Sequence, residues 1–208
     1  MSENLQKEWD EKPTGTPEPL QRSDSHKSNG SLFLYTILAL GVALFVRFYV
    51  AAPYVVSGSS MEPNFNNWDY LITDRISYRF DEPRRGDVVV FHLPQEYSRT
   101  LIKRVIGLPG ETIRIEGNSV RVINGENPQG FILDEEYLAA ENLGGPTGVE
   151  VTLGSDEYAV LGDNRHVSSD SRSWGVLPRE NIIGRVLLRL FPLSHIALLP
   201  AEARYLEE

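Results

Sequence analysis

The apolar positions of this 208-residue chain fall into three regimes. Residues 1–30 hold three prolines, many polar side chains and few large aliphatic ones. Such a stretch cannot bury enough apolar surface to offset the entropy of folding, and is expected to be a disordered tail. From Leu32 to Val46 the chain is nearly continuous Leu, Ile, Val, Phe, Ala and Tyr, and between Ser28 and Met61 the only charged residue is Arg47. That run alone rises about 22 Å as a helix, short of a ~30 Å hydrocarbon core. Continuing it through Ala52 gives one membrane span over 31–52, with Arg47 snorkelling at an interface. A core helix so uniformly apolar needs a larger protein around it, and a cleavable export signal begins closer to the N-terminus, so an uncleaved anchor is expected. Lys12, Arg22 and Lys27 before the span outnumber Arg75 after it, which favours the N-terminus inside.

Beyond Pro53 the pattern changes to short runs with β character divided by turn residues. Tyr70–Thr73, Val88–Phe91, Thr100–Ile106, Thr112–Glu116, Ser119–Ile123, Val149–Leu153, Tyr158–Leu161 and Ile182–Leu190 read as strands, so the fold class is mainly β over 53–200, with a tail at 201–208. The alternating Thr112–Glu116 and Ser119–Val122 flank Gly117-Asn118, a hairpin signature. Val88–Phe91 lacks polar alternation and predicts a core strand. Asp134–Asn142 suggests one short helical turn, and the region from about 109 to 156 a small β cap on the rest.

Charge and composition narrow the function. A net charge of −9 with no basic face argues against a nucleic-acid partner. With no cysteine there is no disulfide framework and no thiolate nucleophile. The four histidines, His26, His92, His166 and His195, have no ligand-like spacing, so no metal site is expected. Phe65, Trp68 and Tyr70 are aromatic candidates for a lipid interface.

The candidate chemistry lies in Ser57-Gly58-Ser59-Ser60-Met61-Glu62-Pro63, immediately after the apolar segment. A serine hydroxyl is a poor nucleophile until a neighbouring base takes its proton. Lys103 is the best candidate for that base: on a Thr100–Ile106 strand it shares a face with Leu101 and Val105, and apolar burial lowers an ammonium pKa toward the working range. Taken alone, Lys103 equally fits an exposed lysine on an edge strand. Arg104 lies on the opposite face and stays charged, which suits an ion pair. Gly162-Asp163-Asn164-Arg165 reads as a turn, and Asp170 and Arg172 fall on one side of an extended segment where they can pair. A triad through His166 is a geometric alternative, while the Gly-x-Ser-x-Gly elbow is absent because position 62 is Glu.

Together with Arg85-Gly86-Asp87-Val88-Val89-Val90-Phe91 and Ser168-Ser169-Asp170-Ser171-Arg172, these stretches resemble, in order, the conserved boxes of bacterial type I signal peptidase over roughly residues 32–192. The resemblance implies a Ser/Lys-dyad endopeptidase with a signal-peptidase-like β-fold, acting without a cofactor. It would sit in the cytoplasmic membrane as a single-pass monomer, N-terminus in the cytoplasm and catalytic domain outside. Signal peptides of exported preproteins, ending in small residues of Ala-x-Ala type, and the lipid bilayer would be its partners. It further implies that Ser168 hydrogen-bonds and orients Lys103, that Asp163 pairs with Arg104, and that Met61, Phe65, Leu101 and Ile102 wall the substrate pockets. Some relatives carry a serine hydroxyl at the position of Gly58. Here the oxyanion is expected to rely on backbone at Gly58 and Ser60, chiefly the Ser60 N–H, with 57–60 extended. His166 and Val167 stand where Asp and Asn are usual. Two rivals remain: a self-cleaving Ser/Lys repressor, which needs a DNA-reading domain in place of the span, and a silent membrane-held interaction module.

Overall fold

The computed structural model describes residues 29–203 and Tyr205, so the expected tail over 1–28 lies outside the described residues. Helix α1 covers Asn29–Phe45 and continues as a π-helical turn over Val46–Val50. The apolar helical stretch Ser31–Val50 is 20 residues long with mean hydropathy 2.0, about 30 Å at helical rise. It ends two residues earlier than expected. Ala51 takes extended backbone (φ −145°, ψ 140°) because it opens a strand that pairs with the segment around Asp74.

Twelve strands follow: β1 (Ala51–Val55), β2 (Tyr70–Asp74), β3 (Val88–Leu93), β4 (Glu96–Gly107), β5 (Thr112–Glu116), β6 (Ser119–Ile123), β7 (Phe131–Ile132), β8 (Val149–Thr152), β9 (Glu157–Leu161), β10 (Leu177–Pro178), β11 (Ile182–Phe191) and β12 (Ala197–Leu198). A four-residue helix, α2 (Ser171–Trp174), lies between β9 and β10. The larger sheet runs β1-β2-β11-β3-β4-β9-β10 with β12 on β11, and the smaller runs β7-β6-β5-β8. The fold is mainly β, as the alternation predicts. The expected strands appear with small shifts at their ends, except that β4 starts earlier, at Glu96. The short β1, β7, β10 and β12 escape the sequence pattern, and the helical turn anticipated over Asp134–Asn142 shrinks to a 3-10 turn at Ala140–Asn142.

Burial accounts for the patterns. Val89 and Phe91 of β3 enter a cluster with Val105, Tyr158, Val160 and Leu177, while Val88 and Val90 enter another with Val56, Met61, Phe65, Leu71 and Val186. A strand covered on both faces has no reason to alternate. In the β5–β6 hairpin only Gly117 of the two loop residues has positive φ (60°), the II′ arrangement that matches strand twist. Its inward Ile113, Ile115, Val120 and Val122 join Ile106, Ala159 and Leu161 of the larger sheet in one cluster. The region 109–156 therefore shares its core with the larger sheet.

A buried ion pair ties the layers together. Arg104 on β4 meets Asp163 just after β9 through Nε–Oδ1 (2.9 Å) and Nη2–Oδ2 (2.6 Å), with both side chains almost wholly excluded from solvent. Nη1 donates to the carbonyls of Gly86 (3.0 Å) and Ala201 (2.7 Å), and the guanidinium lies 4.0 Å from the Tyr137 ring centroid. Tyr205 Oη donates to Tyr137 Oη at 3.0 Å. Ala201 and Tyr205 thus contact the core where the sequence suggests a tail; the carbonyl that meets Arg104 Nη1 is that of Ala201.

Replacing Asp163 by Ala leaves a buried guanidinium without its counter-ion, and the expected loss is about 3–5 kcal/mol of stability. Arg114→Ala, which breaks a solvent-exposed pair with Glu150, should leave stability almost unchanged. Urea unfolding of the full chain in detergent compares the two.

Candidate active site

Register delivers the functional side chains to one place. β9 pairs with β4 through Leu161↔Arg104 and Val160↔Val105, and one residue past Leu161 the chain leaves the strand at Gly162. Lys103, opposite Val89 on the other side of β4, is therefore met by the 162–172 loop rather than by a strand. The Ser57–Pro63 stretch reaches the same point from β1. Asn164 N–H donates to the Ser60 carbonyl at 3.0 Å, and Asn142 Nδ2 to the Glu62 carbonyl at 2.8 Å. Gly162 is required by space: a Cβ there would fall 2.2 Å from Ser168 Oγ and 2.5 Å from the Ser60 carbonyl.

Lys103 Nζ lies 2.6 Å from Ser60 Oγ and 2.9 Å from the Ile102 carbonyl, with Lys103 only 2% exposed. It is not on an exposed edge. Burial disfavours the ammonium; the charges of Asp170 and Asp163 favour it, and those of Arg99 and Arg172 oppose it, leaving the pKa near 8, below the ordinary 10.5. Arg104 behaves oppositely. Burial opposes its charge, but hydrogen bonding to Asp163 wins and its pKa is raised. A serine hydroxyl beside an amine poised in this way can lose its proton within a single hydrogen bond.

The 162–172 loop is held by a network of polar contacts. Asp170 caps α2: its Oδ1 accepts from Arg172 N–H (3.2 Å) and Nε (2.8 Å), its Oδ2 from Arg172 Nη2 (2.8 Å) and Gly162 N–H (3.1 Å). Asp170 and Arg172 do pair, but at a helix start where the sequence suggests an extended segment. Arg165, buried, is bound bidentately by Glu135 and donates to the Gly162 carbonyl. Asn64 Nδ2 donates to Asp163 Oδ2 (2.9 Å) and to the Tyr137 carbonyl (3.1 Å). Glu135, Tyr137, Asn64, Asn67 and Asn142 were missed in the sequence. Their only signal is that polar groups lie in loops, which does not say that a buried arginine or turn awaits them.

Several expectations are corrected. Residues 57–60 are not extended: they bend into a turn, Gly58 has φ +100°, and its N–H donates to Asn67 Oδ1 (3.0 Å), so Gly58 offers no free donor. A side chain at 58 meets open space but strained backbone. Ser168 Oγ is buried and makes no hydrogen bond among the described residues, so the expected contact with Lys103 is not formed. Met61 and Phe65 are not pocket walls, being 1% and 0% exposed within the core beside Val88 and Val90. The same burial removes Phe65 from any lipid contact. Leu101 and Ile102 are half-buried, one packed on each core cluster. His166 is exposed, and Asp163 is already taken by Arg104, which leaves no triad.

Comparison with known proteins agrees with the sequence boxes. A model of the family "Signal peptidase, peptidase S26" matches residues 30–191. A probable signal peptidase I-2 of Synechocystis is 36% identical over 98% of this chain and 88% of its own length. A signal peptidase I of Leptolyngbya laminosa is 38% identical over 93% and 97% respectively. A signal peptidase IB of Staphylococcus aureus is 31% identical over 76% and 89%. With a family match spanning most of the chain and relatives of this similarity, the chain belongs to the signal peptidase family, peptidase S26, of serine endopeptidases.

Proposed function

We propose that this chain is a membrane-anchored endopeptidase that removes signal peptides from exported preproteins after small residues, with Ser60 as nucleophile and neutral Lys103 as general base. The observation that carries this reading is the 2.6 Å separation of Nζ and Oγ at a lysine whose pKa burial has lowered. Ser60 Oγ attacks the scissile carbonyl carbon while its proton passes to Nζ. The resulting ammonium returns that proton to the leaving amine nitrogen as the C–N bond breaks, leaving an ester on Oγ. Water then attacks the ester, Lys103 takes its proton, and Oγ leaves with it.

The oxyanion forms beside the Ser60 N–H, which makes no hydrogen bond among the described residues and so remains a donor. Lys103 is steadied by the Ile102 carbonyl and by the packing of the 162–172 loop, within which Ser168 lines the site. Along β4, β9 pairs only with Arg104, Val105 and Gly107, so β4 before Lys103 offers an edge to which an extended peptide can add. Side chains at alternate substrate positions then face the same side, which suits a motif with small residues two apart. Leu101 and Ile102 belong to that edge. The span of 31–50 anchors the chain with the N-terminus in the cytoplasm and the catalytic domain outside. Exposed Trp68 and Tyr70, at 72% and 37%, are suited to lipid contact.

Three outcomes follow for preprotein cleavage by the full chain in detergent, read by sequencing the new N-terminus. Ser60→Ala and Lys103→Ala each abolish turnover while the chain stays folded, and His166→Ala cleaves normally; a folded Lys103→Ala enzyme that still cleaves sinks the dyad. Because the amine must be free, kcat/KM falls about tenfold per pH unit below a pKa near 8 and levels off above it; activity flat from there down to pH ~5 rules out Lys103 as the base. Ser59→Ala leaves kcat within a few-fold, whereas loss of an essential oxyanion donor costs roughly 10²–10³; a drop of that size with KM unchanged makes the Ser59 hydroxyl the donor.

A further inference from the structure

A cavity of about 240 Å³ opens beside the 3-10 turn Ser77–Arg79 and the start of β11, sharing no lining residue with the Ser60 and Lys103 site. Its wall brings together Arg75, Arg79 and Arg179 with His92, Tyr97 and Ile183, and Glu180 is its one acidic residue. In a chain of net charge −9 this is a local reversal of sign. The arginines are held differently. Arg75 donates through Nη1 to the Phe48 carbonyl (3.0 Å) and through its backbone N–H to Val50 (3.0 Å), so it stands where the apolar segment ends. Arg179 lies over the Tyr78 ring, donates to the Tyr78 carbonyl and meets the exposed Glu82 at 3.3 Å. Among the described residues the Arg79 guanidinium has neither a hydrogen bond nor an ion pair, while its backbone N–H closes the 3-10 turn on Ile76, leaving the planar donor fork free.

We infer that this cavity binds the phosphate of an anionic phospholipid headgroup, an inference that rests on reading 31–50 as a membrane anchor. Guanidinium groups bind phosphate oxygens in two-point fashion, and their hold strengthens where lipid excludes water. The cavity is smaller than the roughly 300–1,000 Å³ of sites for drug-sized ligands, a scale suited to a headgroup. Phe80, next to Arg79, is 83% exposed and Tyr97 is 63% exposed, aromatic positions of the kind found at the membrane–water boundary. Lipid is the favoured source of the phosphate because Arg75 is bonded to the last turn of the apolar segment, at the depth where headgroups lie.

The test uses the full chain in neutral detergent, titrated separately with dihexanoyl phosphatidylglycerol, dihexanoyl phosphatidylcholine and inorganic phosphate, with binding followed by phosphorus NMR. Phosphatidylglycerol should bind saturably, and phosphatidylcholine and inorganic phosphate about tenfold or more weakly. Arg79→Gln and Arg75→Gln should each weaken phosphatidylglycerol roughly tenfold, the scale of one charge-assisted contact, with unchanged melting and unchanged preprotein cleavage in lipid-free detergent. Equal binding of phosphatidylcholine, absence of saturable binding, or no effect of Arg79→Gln overturns the site. Inorganic phosphate binding as tightly as phosphatidylglycerol overturns the lipid assignment in favour of free phosphate. Flotation of the chain with phosphatidylcholine vesicles separately reports the anchor: failure to float overturns the membrane reading whatever the titrations give.

Discussion

The pair between Arg104 and Asp163 is the contact on which the arrangement around Ser60 depends. Each charge alone would be costly at such depth, so the strand carrying one and the loop carrying the other are acceptable only together. Arg104 follows Lys103 on β4, and Asp163 precedes Asn164, whose N–H holds the Ser60 carbonyl. Satisfying this pair therefore brings the loop, the lysine and the serine turn to one point. Asn64 adds the serine turn's own side chain to the same carboxylate, and Ala201 brings in the end of the chain.

What could be read in advance was local. The β5–β6 hairpin is legible because Gly117 and the alternation around it fall within a dozen residues, and β3 because four consecutive apolar residues need two buried faces. The helix is legible apart from its end, where pairing of Ala51 with β2 overrides a favourable apolar composition. Ser60 and Lys103 could be picked out by residue type and order. The turn geometry around Ser60 could not, because Asn67, Asn142 and Asn164 create it from elsewhere in the chain, and the fate of Met61 and Phe65 depends on β3. Asp170 and Arg172 looked like neighbours on an extended segment since nothing nearby reveals that a carboxylate will cap four helical residues.

The two regions of positive charge solve different problems. Arg104, Arg165 and Arg172 are buried, matched by Asp163, Glu135 and Asp170, and act as struts. Arg75, Arg79 and Arg179 border an open cavity with one acidic residue in its wall, and of the three only the Arg79 guanidinium has no partner among the described residues. The same residue type therefore reads as scaffold or as recognition surface according to whether the fold supplies its partner.

The burial of Lys103 also makes folding a proton-releasing reaction. Between pH about 8 and 10.5 the unfolded chain carries an ammonium where the folded chain carries an amine. The unfolded state then binds more protons, so stability rises with pH across that window, and below it the fold bears the full cost of enclosing a lysine. The property that readies the amine is thus a standing load on the fold at neutral pH.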